Sequence, residues 1–333
     1  MKKKTDIFAY IFENINYMNK TKTFMVLLFV ICCLSGYSQD KLPPLSGKNL
    51  NFILISDSGM KTEPQRLIAS SAASHMSRII EDNKISFVAV AGDPIHDNGV
   101  KDVNDPEWKF KVEDIFCSKA LHSIPWHAVP GNHEYKGNPQ AVVDYSKVSR
   151  RWDTPARYYS IEKKLKGTKD KVLFVFLDTS PLIKKRFESF PEKVTPDYPQ
   201  REMEWFDSTM AASDARWKIV IGHQPVYAST NKGIKERLDI QETVNPVLLK
   251  HDADIYVCGH IHSFQHIIVD GCDVNYIVNS SIGRSREVGK VEGTKFCADD
   301  QGFTVFSIGK DKIDFWFISS TEGNVIYNYS ISR

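Results

Sequence analysis

Continuous apolar runs alternate along the chain with segments of helical periodicity. The apolar runs predict buried strands at residues 50–56, 85–91, 126–129, 172–177, 218–221 and 254–258. The helical spacing predicts helices at residues 63–81, 106–120, 139–148, 202–212 and 241–250. Apolar strands that alternate with helices are typical of sheets that carry helices on their faces.

The C-terminal part of the chain has a different pattern. Short alternating runs predict strands at residues 266–269, 274–278, 303–308, 312–318 and 324–331. Together with the alternating part, they predict an α/β protein: an αββα sandwich with mixed sheets and helices on the outer faces, in one domain over residues 45–333. Residues 180–200 contain four prolines and three lysines, which predicts a long exposed loop.

The first 38 residues have the pattern of an export signal. Lys20 and Lys22 precede the apolar run 24–34, and the small residues Gly36 and Ser38 suit cleavage before residue 39. This predicts a periplasmic or extracellular protein. We expect no stable membrane insertion, because the apolar run is too short for a comfortable membrane span.

Three alternatives for this leader remain open. Met18 is a second possible start, since residues 18–38 alone make a complete signal. An uncleaved anchor is a less favoured alternative. A lipoprotein linked through Cys32 or Cys33 is also less favoured, because the preceding residues are large.

Composition and charge narrow the possible classes of protein. Hydrophobic residues make up 42% of the chain, with 19 Phe and 13 Tyr, which indicates a large core and excludes a disordered chain. The net charge is +2, and lysines near the N-terminus supply much of it. The nearly neutral body therefore argues against a nucleic acid partner.

Four cysteines follow the leader: Cys117, Cys258, Cys272 and Cys297. The absence of a C-x-x-C pair argues against a zinc site built from cysteine. Export permits disulfides, and Cys272–Cys297 is the pair we would expect.

Polar motifs follow directly after five of the predicted strands. They are Ser56-Asp57-Ser58-Gly59, Gly92-Asp93-Pro94-Ile95-His96, Gly131-Asn132-His133-Glu134, Gly222-His223 and Gly259-His260-Ile261-His262. Ligands of α/β sheets lie at the carboxyl ends of strands. The mixture of carboxylate, amide and imidazole suits Zn, Fe or Mn.

The number of candidate ligands indicates two metal ions. The candidates are Asp57, Asp93, His96, Asn132, His223, His260 and His262. A single tetrahedral ion takes about four ligands. Two ions that share a carboxylate would use all seven, and such pairs stabilise in-line displacement at phosphorus.

This set of motifs resembles the calcineurin-like metallophosphoesterases, and among them the purple acid phosphatases of the small tartrate-resistant type. The resemblance implies the metallophosphoesterase fold and two bound metal ions. It assigns Asp57, Asp93, residue 96 and His262 to one ion, and Asn132, His223 and His260 to the other, with Asp93 as the bridge. It also makes His133 the group that assists the leaving-group oxygen. Glu134 is expected to orient His133 through a hydrogen bond.

One position departs from the family pattern. The purple enzymes have a tyrosine where this chain has His96. Ordinary members of the wider superfamily, outside the purple enzymes, have a histidine where this chain has Gly59. A neutral imidazole is a poorer partner than tyrosinate for a trivalent ion. We therefore expect a divalent pair of Zn, Mn or Fe(II), and no purple colour.

The resemblance implies an acid-phosphatase-like hydrolase. The expected reaction is in-line attack of a metal-activated hydroxide on phosphate monoesters, with phosphorylated small molecules or phosphoproteins as substrates. Two alternatives remain: phosphodiesterase or nucleotidase activity on the same metal core, and a catalytically weak metal-binding surface protein. The oligomeric state stays open. In the tartrate-resistant enzymes, the region corresponding to residues 180–200 is a loop that restrains activity until it is cut.

Overall fold

The computed structural model describes residues 41–231 and 233–333. The expected export signal and its alternatives therefore lie outside the described residues. Within the described part of the chain, no helix combines the length and the apolar character that crossing a bilayer requires.

The described residues form the following strands and helices. The strands are β1 Leu50–Ile55, β2 Ile85–Ala91, β3 Trp126–Val129, β4 Tyr159–Lys164, β5 Lys171–Phe176, β6 Trp217–Ile221, β7 Ile255–Cys258, β8 Phe264–Ile267, β9 Asn275–Val278, β10 Thr294–Ala298, β11 Gly302–Ile308, β12 Lys312–Ser319 and β13 Val325–Ser332. The helices are α1 Glu63–Asp82, α2 Pro106–Trp108, α3 Lys119–His122, α4 Gln140–Asp144, α5 Lys184–Ser189, α6 Tyr198–Ala212, α7 Ile234–Thr243 and α8 Asn245–Lys250.

The strands assemble into two mixed sheets. The first has the order β13-β12-β11-β1-β2-β3, and β1, β2 and β3 run parallel in it. The second has the order β10-β8-β9-β7-β6-β5-β4, and β5, β6, β7 and β9 run parallel in it. The carboxyl ends of the parallel strands carry the polar motifs.

Both faces of the central strands are covered, which explains their continuous apolar sequence. On β1, Phe52 belongs to the core cluster that both sheets share, whereas Ile53 packs in the cluster that contains α1. The Phe52 ring stacks on Phe87 at 4.9 Å and meets the edge of Phe174, from the second sheet, at 5.3 Å. Helices α6 and α8 cover the outer face of the second sheet. The predicted αββα sandwich is confirmed.

Two strands were not predicted from the sequence, namely β4 and β10. Both lie at the edges of the second sheet. In β4, exposed residues alternate with residues that are buried or half-buried, and half of the strand is charged. In β10, no residue is fully buried. Edge strands lack the continuous apolar run that marks a central strand.

The predicted helices 106–120, 139–148 and 241–250 are interrupted in the structure. The first turns into a π-helix at Lys109–Glu113, and the second ends in a 3-10 turn at Tyr145–Lys147. The third is divided between α7 and α8, and Pro246 lies in the first turn of α8. Proline cannot donate a backbone hydrogen bond and clashes with the preceding turn, so one continuous helix is excluded there.

The prediction of a long exposed loop at residues 180–200 is wrong. The segment contains α5 and the start of α6. Ile183, Phe190 and Val194 are buried. The Phe190 ring lies 4.4 Å from the ring of Tyr135, next to the Asn132-His133-Glu134 motif.

The expected disulfide between Cys272 and Cys297 is also wrong. All four cysteines within residues 41–231 and 233–333 are free. The Cys272 sulfur contacts the hydroxyl of Tyr276 at 3.5 Å. Cys297 lies on edge strand β10, opposite Gln265 of β8.

Candidate metal centre

Hydrogen bonds join the ends of the parallel strands from both sheets, through the backbone within the first sheet and through side chains between the sheets. Within the first sheet, Asp57 N donates to Gly92 O at 3.0 Å. Between the sheets, the Nδ1 of His223 lies 2.9 Å from the carbonyl of Ala91. Asp57 Oδ2 accepts from the backbone N–H of His260 at 2.8 Å. Loops that are far apart in sequence therefore meet at one place.

The seven predicted donors converge at this place. Three groups of side chains each bring their donor atoms within 4.8 Å of one another: Asp57 with His96 and His262, Asp93 with His96 and His133, and Asp93 with His223 and His260. Asn132 joins through its Oδ1, which lies 3.3 Å from His223 Nε2. All seven residues are buried. Because Asp93 belongs to two of the groups, it is placed as a shared carboxylate.

Four of these residues have a backbone conformation that ordinary side chains rarely adopt. Asp57, Asp93, His260 and His262 have φ values of 50°, 51°, 69° and 63°. The left-handed conformation raises the free energy of the folded state by on the order of 1–3 kcal/mol for each non-glycine residue. It is found where the surrounding structure holds the residue in place. The fold therefore tolerates local strain at its candidate ligands.

Glycines let the backbone approach the cluster closely. Gly92 has φ +80°, and a Cβ there would lie 2.3 Å from the Nδ1 of His223. A Cβ at Gly131 would lie 2.1 Å from the Oδ1 of Asp93. Both distances are far below van der Waals contact, so these two positions require glycine.

We expect G92A to destabilise the fold by about 3 kcal/mol or more, because the new methyl group displaces the His223 ring. Gly167 is the matched control, since it has φ +78° with nothing within 4 Å of the added Cβ. G167A should cost only about 1 kcal/mol, from the left-handed backbone alone. Urea unfolding measures both changes. Equal costs for the two variants would show that the contact with His223 does not matter.

Hydrogen bonds fix the direction of two imidazole rings. The Nδ1 of His223 donates to the carbonyl of Ala91, so its Nε2 faces Asp93 Oδ2 at 3.2 Å. The Nδ1 of His133 donates to the carbonyl of Asp97 at 2.9 Å, so its Nε2 faces the cluster, 3.8 Å from Asp93 Oδ2. These tautomers follow from the partners of each ring.

His96 lies between the two aspartates. Its Nε2 is 3.6 Å from Asp57 Oδ1 and 3.8 Å from Asp93 Oδ2. Its backbone N–H donates to Gly59 O at 3.0 Å. A Cβ at Gly59 would lie 2.2 Å from the carbonyl of Pro94. The loop that carries His96 therefore fills the space that a side chain at position 59 would need.

Unpaired buried nitrogens indicate that this donor set fits metal ions. Among the described residues, neither ring nitrogen of His96 has a hydrogen-bond partner, and the Nδ1 of His262 has none either. A buried polar atom without a partner is costly. Imidazole nitrogens and carboxylates at mutual distances below 5 Å are the ligands that Zn, Fe and Mn accept.

The charges of the cluster also suit cations. Burial disfavours the charged form of Asp93, but the neighbouring His223 and His96 outweigh it and hold the pKa well below its usual range. Burial lowers the pKa of His96 to about 3. The centre therefore presents ionised carboxylates and a neutral imidazole at physiological pH.

The prediction that Glu134 orients His133 is wrong. The carboxylate of Glu134 accepts hydrogen bonds from the backbone N–H groups of Gly131 at 2.7 Å and Ile95 at 3.1 Å. The ring of His133 is held by the carbonyl of Asp97 instead. Burial and the nearby Asp93 raise the pKa of Glu134 to about 8. Glu134 therefore ties together two of the loops that carry candidate ligands.

Sequence reasoning missed two residues that contact the His260-Ile261-His262 turn. Glu236 Oε2 lies 3.1 Å from His260 Nε2. The guanidinium of Arg286 donates to the carbonyls of His260 and Ile261, both at 3.3 Å. Neither residue belongs to a motif, and no local pattern in the sequence marks either one.

Comparisons with known proteins agree with this geometry. The family model described as Calcineurin-like phosphoesterase matches residues 50–264. The tartrate-resistant acid phosphatase type 5 of Rattus norvegicus is 27% identical over 330 residues, which cover 93% of this chain and 98% of the rat protein. Purple acid phosphatase 7 of Arabidopsis thaliana is 29% identical over 326 residues, which cover 93% of this chain and 95% of that protein.

Two solved structures share the fold. One is GAP50, the anchor in the inner membrane complex of Plasmodium, with a TM-score of 0.74 and 24% identity, over 85% of this chain and 89% of that one. The other is the purple acid phosphatase PPD1 from yellow lupin seeds, with a TM-score of 0.60 and 16% identity, over 88% of this chain and 55% of that one.

Proposed function

The chain belongs to the calcineurin-like phosphoesterase family, and from that premise we propose that it is an exported dimetal phosphatase that hydrolyses phosphate monoesters. The observation that carries the proposal is the convergence of seven buried oxygen and nitrogen donors, with Asp93 shared between two groups. Support also comes from relatives named acid phosphatases that align over nearly the whole chain.

The donors divide into two sets. We assign Asp57, Asp93, His96 and His262 to one ion, and Asn132, His223 and His260 to the other, with Asp93 as the bridge. When bound, two such ions neutralise phosphate oxygens and lower the pKa of water.

His133, in its doubly protonated form, is the proposed proton donor to the leaving group. Its Nδ1 is tied to the carbonyl of Asp97, which directs Nε2 toward the cluster, 3.8 Å from Asp93 Oδ2. The neighbouring Asn132 carries an amide that can hold a phosphate oxygen. A positioned acid beside the leaving group is the role that general acid–base catalysis requires.

We further propose that the metals are a divalent pair. His96 supplies a neutral nitrogen where tyrosinate would supply a negative oxygen. Iron-loaded protein should therefore lack the visible charge-transfer band of tyrosinate bound to iron(III). H96Y, loaded in the same way, should acquire that band. Absorption spectra of both proteins check this, and a band already present without the substitution would contradict it.

The remaining parts of the proposal concern location and substrate. Residues 1–38 are the proposed signal peptide, with export to the periplasm or the outside of the cell, and residues 45–333 are the proposed catalytic domain. The proposed substrates are phosphorylated small molecules or phosphoproteins.

One observation favours a second candidate function. The protein with the TM-score of 0.74 is named as an anchor, so the same fold can serve a binding role. In that case this chain would be a metal-binding surface protein with weak or no catalysis.

Assays with defined metals separate these functions. The protein should be stripped of metal, reloaded with Zn, Mn or Fe(II), and tested on p-nitrophenyl phosphate and on bis-p-nitrophenyl phosphate. We expect two ions per chain and faster turnover of the monoester. Faster turnover of the diester would make the protein a phosphodiesterase. A fully loaded protein that is inert on both would make it a binding protein.

A further inference from the structure

Three side chains in contact with one another, those of His260, Glu236 and Arg186, connect the candidate metal centre to helix α5. Glu236 Oε2 lies 3.1 Å from His260 Nε2, and Glu236 Oε1 lies 2.8 Å from the Arg186 guanidinium. Glu236 lies in the first turn of α7, and Arg186 lies on α5. The segment from 180 to 200 is thus connected to a candidate ligand through one carboxylate.

The contact with Glu236 determines which nitrogen of the His260 ring carries the proton. A carboxylate is acceptor-only when ionised, so the Nε2 of His260 must carry the proton of this hydrogen bond. The Nδ1 is then the nitrogen left for the group formed with Asp93 and His223. A histidine that binds a metal through one nitrogen commonly donates the other N–H to a carboxylate, which orients the ring and raises its basicity.

The surroundings of Glu236 are shaped for this contact. Gly233, with φ +66°, is the N-cap residue that precedes α7, and a Cβ there would lie 2.9 Å from Glu236 Oε2. The side chains of Glu236 and Arg186 are only 23% and 20% exposed, and that of His260 is 2% exposed. The carboxylate is therefore held between a cation and an imidazole in a largely desolvated position, where charge-assisted hydrogen bonds are strong.

We propose that Glu236 is the positioning residue for His260, and that Arg186 holds Glu236 in place for that task. The inference rests on the proposed function, because it takes His260 as a metal ligand. It adds that the affinity for the ion held by His260 depends on a residue of α5, which contributes no ligand itself.

The same two helices supply a matched control. Lys184 on α5 pairs with Asp239 at 3.7 Å and Glu242 at 3.1 Å on α7, and the Lys184 side chain is 71% exposed. Substitution of Lys184 therefore removes an α5–α7 ion pair without changing the contacts of Arg186 with Glu236 and of Glu236 with His260. Any effect of a looser α5–α7 contact should appear in K184Q as well as in R186Q.

The test compares zinc binding by the full chain and by E236A, E236Q, R186Q and K184Q. Equilibrium dialysis with mass spectrometry gives the stoichiometry and the two affinities, and circular dichroism checks folding. For E236A, we expect the affinity for one of the two ions to fall by about 10- to 100-fold, with the other ion unaffected. E236Q keeps an oxygen acceptor, so its affinity for that ion should fall less than that of E236A. For R186Q, we expect the affinity for the same ion to fall several-fold. K184Q should bind both ions with the affinities of the unaltered protein.

Three outcomes would overturn the proposal. E236A could bind both ions with unaltered affinity, it could lose both ions equally, or R186Q and K184Q could behave alike. Failure of the proposed function gives a different result: the unaltered protein would bind two ions and hydrolyse neither phosphoester. The affinities of the variants would still decide the role of Glu236 in that case.

Discussion

D93N is expected to lower kcat for an aryl phosphate by about 10³-fold or more, and to lower the metal content below two ions per chain. Asp93 is the carboxylate that two donor groups share. Its Oδ1 also accepts the backbone N–H of His133 at 2.9 Å. Asparagine can keep that hydrogen bond and the side-chain size, so the variant should fold while it loses the bridging charge.

Asp97 provides the control for D93N on the same loop. The side chain of Asp97 is 45% exposed and contacts Lys111 Nζ at 3.4 Å. D97N keeps the carbonyl to which His133 Nδ1 donates. We therefore expect activity within a few-fold of the unaltered protein, with two ions bound. If D93N retains both ions and full turnover, Asp93 is not a metal ligand.

H133N should lower turnover of an alkyl phosphate by about 10²- to 10⁴-fold, which is the usual contribution of a positioned general acid. The effect should be much smaller for p-nitrophenyl phosphate, because p-nitrophenolate leaves without needing a proton. His133 is only partly buried, with 19% of its side chain exposed, and it is not among the seven assigned ligands. The metal content should therefore stay at two ions.

The difference between the two substrates is the decisive measurement for His133. An equal loss of turnover on both esters, or a loss of metal, would mean that His133 acts on the metal site rather than on the leaving group. His122 supplies the control, because its side chain is 47% exposed and pairs only loosely with Glu113 at 3.7 Å. H122N should leave both rates unchanged.

Much of the fold and most of the centre could be predicted from the sequence alone. Central strands such as β1 and β5 are buried on both faces, so their apolar runs are continuous and easy to recognise. The candidate ligands lie in the loops that follow such strands. The parallel strands end at one edge, so the sequence already indicated that Asp57, Asp93 and His260 would meet.

Only the tertiary structure decided the supporting contacts. Glu236 and His260 are 24 residues apart, and Glu134 and Ile95 are 39 apart, and no local period relates them. The helices in 180–200 owe their position to buried anchors such as Phe190, which the proline-rich composition conceals. A sequence records which face of an element is apolar and where a strand ends. It does not record which distant side chain fills the space beside a given ligand, because that depends on the packing of the whole domain.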